Sequence, residues 1–104
     1  MKKIIKLKQL AGEFAENKDI AKKVRITEIM PMLSKGHEIV FDFTDVSGAT
    51  QSFIHALVSD PIREFKETAF DKLMYKNANS DIREIISIVY RYMQESLYGE
   101  NNDV

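Results

Sequence analysis

The sequence predicts a small single-domain α/β sandwich, with a mostly parallel sheet of three or four strands and helices packed against it. Strand-like and helix-like segments alternate along the chain, which implies right-handed crossovers between parallel strands. The segment 38–43 is almost continuously apolar, as expected for a strand covered on both faces, so we place it at the centre of the sheet. A chain of 104 residues suits one domain.

Apolar periodicity and helix-capping residues place the individual elements. Strands are predicted at 3–7, 38–43 and 73–75, and helical segments at 9–16, 20–33, 52–58, from 62 onward and 81–98. The first strand is rich in lysine and is therefore expected at or near a sheet edge. Asn17 or Asp19 is expected to cap the helix at 20–33, and Pro31 to kink it, because proline removes a backbone hydrogen bond.

The second half of the chain is divided by similar signals. Asp60 followed by Pro61 predicts that one helix ends and a short one begins, since proline favours the first helical position. The alternative is that the two pieces form one bent element. The segment 77–80 supplies a turn and a cap for the last helix, whose apolar residues form one stripe. One domain therefore spans 1–99, and 100–104 is expected to be a disordered tail.

Composition excludes several classes of function. The formal net charge of -1 provides no long-range field for nucleic acid, and no apolar run approaches the roughly 20 residues of a membrane span. The absence of cysteine excludes disulfides and thiol catalysis and fits a reducing cytoplasm. Gly48 stands alone in its loop, so no phosphate-binding glycine loop is present. We expect a cytoplasmic protein without a cofactor or a metal site.

The segment 38–57 is the region where we expect function. An apolar strand passes through a loop of small and polar residues into a helix, and free backbone N–H groups converge at such a helix start. The hydroxyls of Ser52 and Thr50 are both candidates for the helix cap. Asp42, at the strand end, is either a working carboxylate or one that orients the loop by accepting its N–H groups.

Four short segments together resemble a known family. They are Phe41-Asp42-Phe43, Val46, Thr50-Gln51-Ser52-Phe53 and Lys76-Asn77-Ala78-Asn79. The pattern is similar to the STAS-like domain family of small bacterial proteins of unknown function, which is related in architecture to anti-sigma-factor antagonists. The resemblance covers roughly 5–93, is most specific over 39–57 and implies that the α/β fold is a small STAS-like sandwich.

The resemblance implies a regulatory role. In the antagonists a strand ends in an aspartate-serine-serine-glycine loop, whose second serine is phosphorylated by a kinase that is also an anti-sigma factor. Thr50, Gln51, Ser52 and Phe53 occupy these four positions; Ser52 matches and the other three differ. The resemblance thus implies a non-enzymatic protein-binding domain with Ser52 as phosphoacceptor and a histidine-kinase-like ATPase as partner. The partner-binding loop and helix would comprise Asp45, Val46, Gly48, Thr50, Gln51 and Phe53.

Two alternatives remain open. The first is a structural or self-associating module without a phosphorylation switch, forming a homodimer through Ile88 and Tyr92 on one flank of the last helix. The second, and weaker, is a hydrolase or transferase in which His55, one helical turn beyond Ser52, activates the serine hydroxyl together with Asp42.

Overall fold

A computed structural model describes residues 1–99. The strands are β1 (Lys2–Lys6), β2 (Phe14–Ala15), β3 (Glu38–Asp42), β4 (Gly48–Ala49) and β5 (Leu73–Lys76). The helices are α1 (Leu7–Ala11), α2 (Lys18–Val24), α3 (Met30–Ser34), α4 (Gln51–Phe65), α5 (Glu67–Lys72) and α6 (Ser80–Gln94), with π-helical segments at Arg25–Ile29 and Glu95–Gly99. The tail predicted at 100–104 lies outside the described residues.

The main sheet has three parallel strands in the order β1-β3-β5. The predicted parallel sheet is confirmed, with β3 in the centre and β1 at an edge. A second, two-stranded sheet pairs β2 with β4, also in parallel. The helical segment predicted at 9–16 is therefore wrong at Phe14–Ala15, which form β2. The sequence does not predict this sheet, because strands of two residues carry no periodicity and form only when distant segments meet.

Helices cover one face of the main sheet. Ile5, Phe41 and Tyr75 lie side by side on this face, and the rings of Phe41 and Tyr75 stack with centroids 5.4 Å apart. Helix α4 packs against both α2 and α6, and its residues Phe53 and Ile54 join Phe41 in one hydrophobic core. We call this side of the sheet the covered face.

The opposite side, which we call the open face, carries Ile4, Val40 and Met74 in register across the three strands. None of the three belongs to the contiguous core, and Ile4 is 49% exposed. Val40 is only 7% exposed, because the strands on either side flank it. The expectation that β3 is covered on both faces therefore does not hold within residues 1–99.

The helix predicted at 20–33 extends from α2 through the first π-helical segment to α3. Its cap is Asn17, whose Oδ1 accepts hydrogen bonds from the backbone N–H groups of Asp19 (2.9 Å) and Ile20 (3.4 Å). The irregularity attributed to Pro31 begins earlier, as the π-helical turn at Arg25–Ile29. Such a turn inserts one residue, so Ala21 and Val24 before it and Ile29 and Leu33 after it enter the same core, although they would lie on different faces of a regular helix.

Helix α4 runs without interruption through Pro61, so the predicted helix end at Asp60 is wrong and the alternative of a single element holds. Proline inside a helix costs about 3 kcal/mol. Burial outweighs this cost, because Leu57, Pro61 and Ile62 are all buried between neighbouring elements. Arg25 also supports this turn by donating a hydrogen bond from Nη1 to the carbonyl oxygen of Ala56 at 3.3 Å.

The last helix has the predicted cap and stripe. Asn79 Oδ1 accepts a hydrogen bond from the backbone N–H of Ile82 at 2.9 Å. Ile82, Ile86, Val89 and Met93 are buried along one side of α6. In the part of the chain that the structure describes, no helix combines the length and apolar character needed to cross a bilayer.

Candidate functional site

The loop after β3 is held at its start by Asp42. Its Oδ1 accepts hydrogen bonds from the hydroxyl of Thr44 (2.6 Å), the backbone N–H of Thr44 (3.0 Å) and Nδ2 of Asn77 (3.1 Å). The bond from the Thr44 side chain, followed by that from Asn77, lowers the pKa of Asp42 from 3.8 to about 2. Asp42 thus orients the loop, which is the structural role considered for it.

The second part of the loop is tied to β2 and to the start of α6. The backbone N–H of Ser47 donates to the carbonyl oxygen of Glu13 at 2.7 Å, and the N–H of Thr50 donates to that of Ala15 at 2.9 Å. Asn79 Nδ2 donates to the carbonyl oxygen of Ser47 at 2.9 Å. The loop therefore presents α4 from a fixed position.

Gly48 lies close to the ring of Phe14 in this arrangement. A Cβ atom at this position would lie 2.7 Å from Cε1 of Phe14, closer than packed atoms approach. The ring of Phe14 is 49% exposed and covers the glycine from the solvent side. Any side chain at position 48 would displace this ring.

Helix α4 is capped by Thr50 and not by Ser52. The Oγ1 of Thr50 accepts a hydrogen bond from the backbone N–H of Phe53 at 3.1 Å. Ser52 is the second residue of the helix, and its side chain is exposed. Of the two candidate caps, the fold uses one and leaves the other facing solvent.

The predicted partner-binding residues divide into two groups. Val46 and Phe53 are 5% and 0% exposed and belong to the core, so their side chains cannot contact a partner in this conformation. This part of the prediction is corrected, because the apolar side chains of Val46 in the loop and Phe53 in the first turn of α4 both pack inward. The others remain accessible, fully or in part: Asp45, Gly48, Thr50 and Gln51.

Ser52 lies in a shallow groove of about 420 Å³ between α4, α6 and the start of α2, which we call the Ser52 groove. His55 and Tyr92 form one wall, with ring centroids 5.9 Å apart, and Lys18 lies at the rim. Burial, followed by the positive charge of Arg63, lowers the pKa of His55 below its usual value. The imidazole is therefore neutral at neutral pH.

The structure does not assemble the serine, histidine and aspartate of the enzyme hypothesis into a catalytic set. Ser52 and His55 share one groove, whereas Asp42 lines another, of about 310 Å³, together with Lys6 and Lys8. His37 precedes β3 and lies at the opposite end of that strand from the loop. No group of three or more metal-ligating side chains comes together among residues 1–99.

A second groove, of about 400 Å³, adjoins the first, and we call it the Phe14 groove. Its lining includes Phe14, Gly48, Ile85 and Ile88, with the carboxylates of Asp81 and Glu84. Ile88 and Tyr92 are one turn apart on α6, so the two grooves are neighbours along that helix. Gly48 and Gln51 of the predicted partner-binding segment thus lie on the same side of the molecule as the predicted oligomer interface, whereas Asp45 lines the groove of Asp42.

Sequence reasoning missed Phe14 and Lys18. Both fall in the polar segment 12–19, whose path over the surface is set by the pairing of β2 with β4. An aromatic residue isolated among polar ones was the only local signal for Phe14. For Lys18 no signal existed, because its neighbours in the groove are at least 33 residues away along the chain.

Comparison with known proteins adds one match to these observations. The model of a family described as STAS-like domain of unknown function (DUF4325) matches residues 20–83, more than half of the chain. The match extends from α2 to the first turn of α6 and includes β3, the anchored loop and α4. Comparisons with curated proteins and with solved structures gave no match. On the strength of the family match and the parallel α/β fold, the chain belongs to the STAS-like domain family of unknown function.

Proposed function

We propose that this chain is a non-enzymatic regulatory domain that binds a protein partner on the side formed by the Ser52 and Phe14 grooves. The resemblance to anti-sigma-factor antagonists suggests a histidine-kinase-like ATPase as that partner. Phosphorylation of Ser52 would act as the switch between bound and free states.

The observation that carries the proposal is that the hydroxyls of Thr50 and Ser52, both at the start of α4, have different surroundings. Thr50 caps the helix, whereas Ser52 is exposed, so the fold does not depend on the Ser52 hydroxyl as a cap. A phosphate adds about -1.5 to -2 charges, and a helix N-terminus tolerates negative charge because of its dipole and free N–H groups. Modification would therefore leave the domain folded.

The residues around Ser52 favour a phosphate that changes the charge of the surface and leaves the fold intact. Lys18 lies in the same groove and can pair with a phosphate, while the neutral His55 adds no charge. The adjoining Phe14 groove already carries the carboxylates of Asp81 and Glu84. A phosphate on Ser52 would make this side strongly anionic and would repel a partner whose contact surface is acidic or apolar.

The proposal is tested by comparing partners of the wild-type protein with those of Ser52→Asp. Both proteins are used as bait in the native cell extract, and mass spectrometry identifies the proteins retained and any phosphate on Ser52. We expect a partner that binds wild type and is lost with Ser52→Asp, while the melting temperature changes little.

Thr68→Asp is the matched control. Thr68 is exposed at the second position of α5, as Ser52 is in α4, so the substitution adds the same charge at the start of a helix but outside both the Ser52 and the Phe14 grooves. It should retain the partner. If both variants keep every partner and Ser52 carries no phosphate, the regulatory proposal fails.

Self-association is the second candidate function, and Tyr92 supports it. This large side chain is 56% exposed and lies beside Ile88, which lines the apolar part of the Phe14 groove. Sedimentation at increasing concentration should show a dimer that Tyr92→Glu or Ile88→Glu returns to monomer, whereas Gln94→Glu, an exposed control on the same helix, should not. A monomer at every concentration would exclude this function.

A further inference from the structure

We propose that the free edge of β1 binds an extended, acidic segment of a partner protein, which adds to the main sheet as a fourth strand. This surface is separate from the Ser52 and Phe14 grooves. Strand β1 precedes the segment that matches the family, which begins at residue 20 and contributes the helical side of the adjoining groove. Three independent features of β1 support the proposal.

The first feature is the direction of the backbone groups. The carbonyl oxygen of Met1 accepts a hydrogen bond from the N–H of Glu38 at 2.9 Å, so Met1 faces β3. Backbone direction alternates along a strand, and Lys3 and Ile5 must therefore also face β3. The N–H and C=O groups of Lys2, Ile4 and Lys6 point to the other side, where no strand is found within residues 1–99.

The second feature is a groove of about 440 Å³ alongside this edge, between β1 and the helix formed by α2 and the first π-helical segment. Ile5, Ile20 and Val24 form its apolar lining, and Ile4 and Leu10 are 49% and 45% exposed at its margins. An added strand would direct alternate side chains into this groove and the others beside Ile4. It would bury both exposed residues.

The third feature is charge. Lys3, Lys6 and Lys23 line the groove, and its carboxylate, Glu28, is already paired with Lys3 at 3.4 Å. A second copy of this chain is a poor occupant, since antiparallel pairing centred on Ile4 would set Lys2 opposite Lys6 of the other copy, and like charges across strands destabilise. A segment that alternates acidic and apolar residues satisfies the backbone, the groove and the lysines together.

The test uses the complete chain and a fluorescein-labelled peptide of alternating glutamate and valine, about seven residues long, a usual strand length. Two control peptides have lysine in place of glutamate, or proline at the central valine. Fluorescence anisotropy should show saturable binding of the glutamate-valine peptide. Binding of both control peptides should be at least about tenfold weaker, since one loses the charge complement and the other a backbone donor.

Two variants locate the binding site. Ile4→Pro removes an N–H that faces the edge and leaves the bonds to β3 in place, and Lys23→Glu reverses a charge in the groove. Each should weaken peptide binding about tenfold or more, whereas Lys35→Glu, an exposed lysine outside the groove, should not. Melting curves show which variants are folded, and Lys23→Glu, on the helix surface, tests the proposal even if Ile4→Pro unfolds.

Several outcomes would overturn the proposal. These are the absence of saturable binding, equal binding of the proline peptide, and unchanged binding by folded Lys23→Glu. A dimer in the absence of peptide that Ile4→Pro abolishes would assign the edge to a second copy instead. Ser52→Asp should leave peptide binding unchanged, so the result is independent of the proposed regulatory function.

Discussion

The two faces of the main sheet differ although the same three strands form them. Ile4 and Ile5 are neighbours of identical type in β1, yet Ile4 is 49% exposed and Ile5 is 4% exposed. The helices pack on one face only, and alternation along the strand then decides which isoleucine enters the core. An apolar residue in a strand thus indicates only that the segment belongs to a sheet. The position of the helices determines whether its side chain is buried and stabilises the fold or faces outward.

The covered face and the open face also differ in their polar side chains. On the covered face, the hydroxyls of Tyr75 and Tyr90 share a hydrogen bond at 2.5 Å, and burial raises the pKa of both. On the open face, Asp42 keeps an exposed network with Thr44 and Asn77 and a lowered pKa. Polar side chains stabilise the interior on one side and shape the surface on the other.

The largest expected effect separates the two isoleucines. Ile5→Ala leaves a cavity in the core and should lower the free energy of unfolding by about 2–5 kcal/mol. Ile4→Ala removes atoms that are largely in water and should change it by about 0.5 kcal/mol or less. Urea unfolding measures both. Equal losses would mean that a further layer covers the open face in solution.

The Tyr75–Tyr90 pair tests the covered face more finely. Tyr75→Phe or Tyr90→Phe alone leaves the partner hydroxyl without its hydrogen bond and should cost about 1–3 kcal/mol. The double variant removes both polar groups and should be more stable than the sum of the single variants predicts. A double-mutant cycle from urea unfolding gives this coupling energy. Additive losses would show that the two hydroxyls are not coupled.

Thr50 and Ser52, at the start of α4, also differ in that one side chain has a structural role and the other faces solvent. Thr50→Ala removes the cap and should cost about 1 kcal/mol, within the usual range of N-cap losses. Ser52→Ala should be close to neutral, because its hydroxyl faces solvent. Thermal unfolding of the two variants compares them directly. If Ser52→Ala lowered the stability more than Thr50→Ala does, Ser52 would have the structural role, and this would contradict the proposed switch.

The smallest expected effect on stability concerns Asp42, and it is measured as the pH dependence of the melting temperature. Because its pKa is lowered to about 2, the carboxylate favours the folded state above the unfolded pKa of about 4. This contribution is lost as the pH falls from about 4 to about 2. The melting temperature of wild type should therefore approach that of Asp42→Asn over this range. A constant difference between the two would show that Asp42 titrates normally.

Particular residues show how far sequence reasoning reached. It placed the parallel sheet with β3 in the centre, the first cap at Asn17 or Asp19, the cap of the last helix within 77–80, and the apolar stripe of α6. These depend on local chemistry, since caps and periodicity are encoded within one or two helical turns. The joining of Ser52, Tyr92 and Ile88 into one surface was not predictable, because it depends on how α4 and α6 pack.

The sequence by itself determined the elements that short-range chemistry specifies: which segments form strands or helices, where most helices begin, and which stripe of α6 is apolar. Only the tertiary structure decided that Pro61 stays inside α4, that Val46 and Phe53 are buried, and that β2 pairs with β4. Each of these depends on packing between distant segments, whose burial outweighs local preference by several kcal/mol. The open face and the free edge of β1 result from the same packing, because the described helices all serve one side of the sheet.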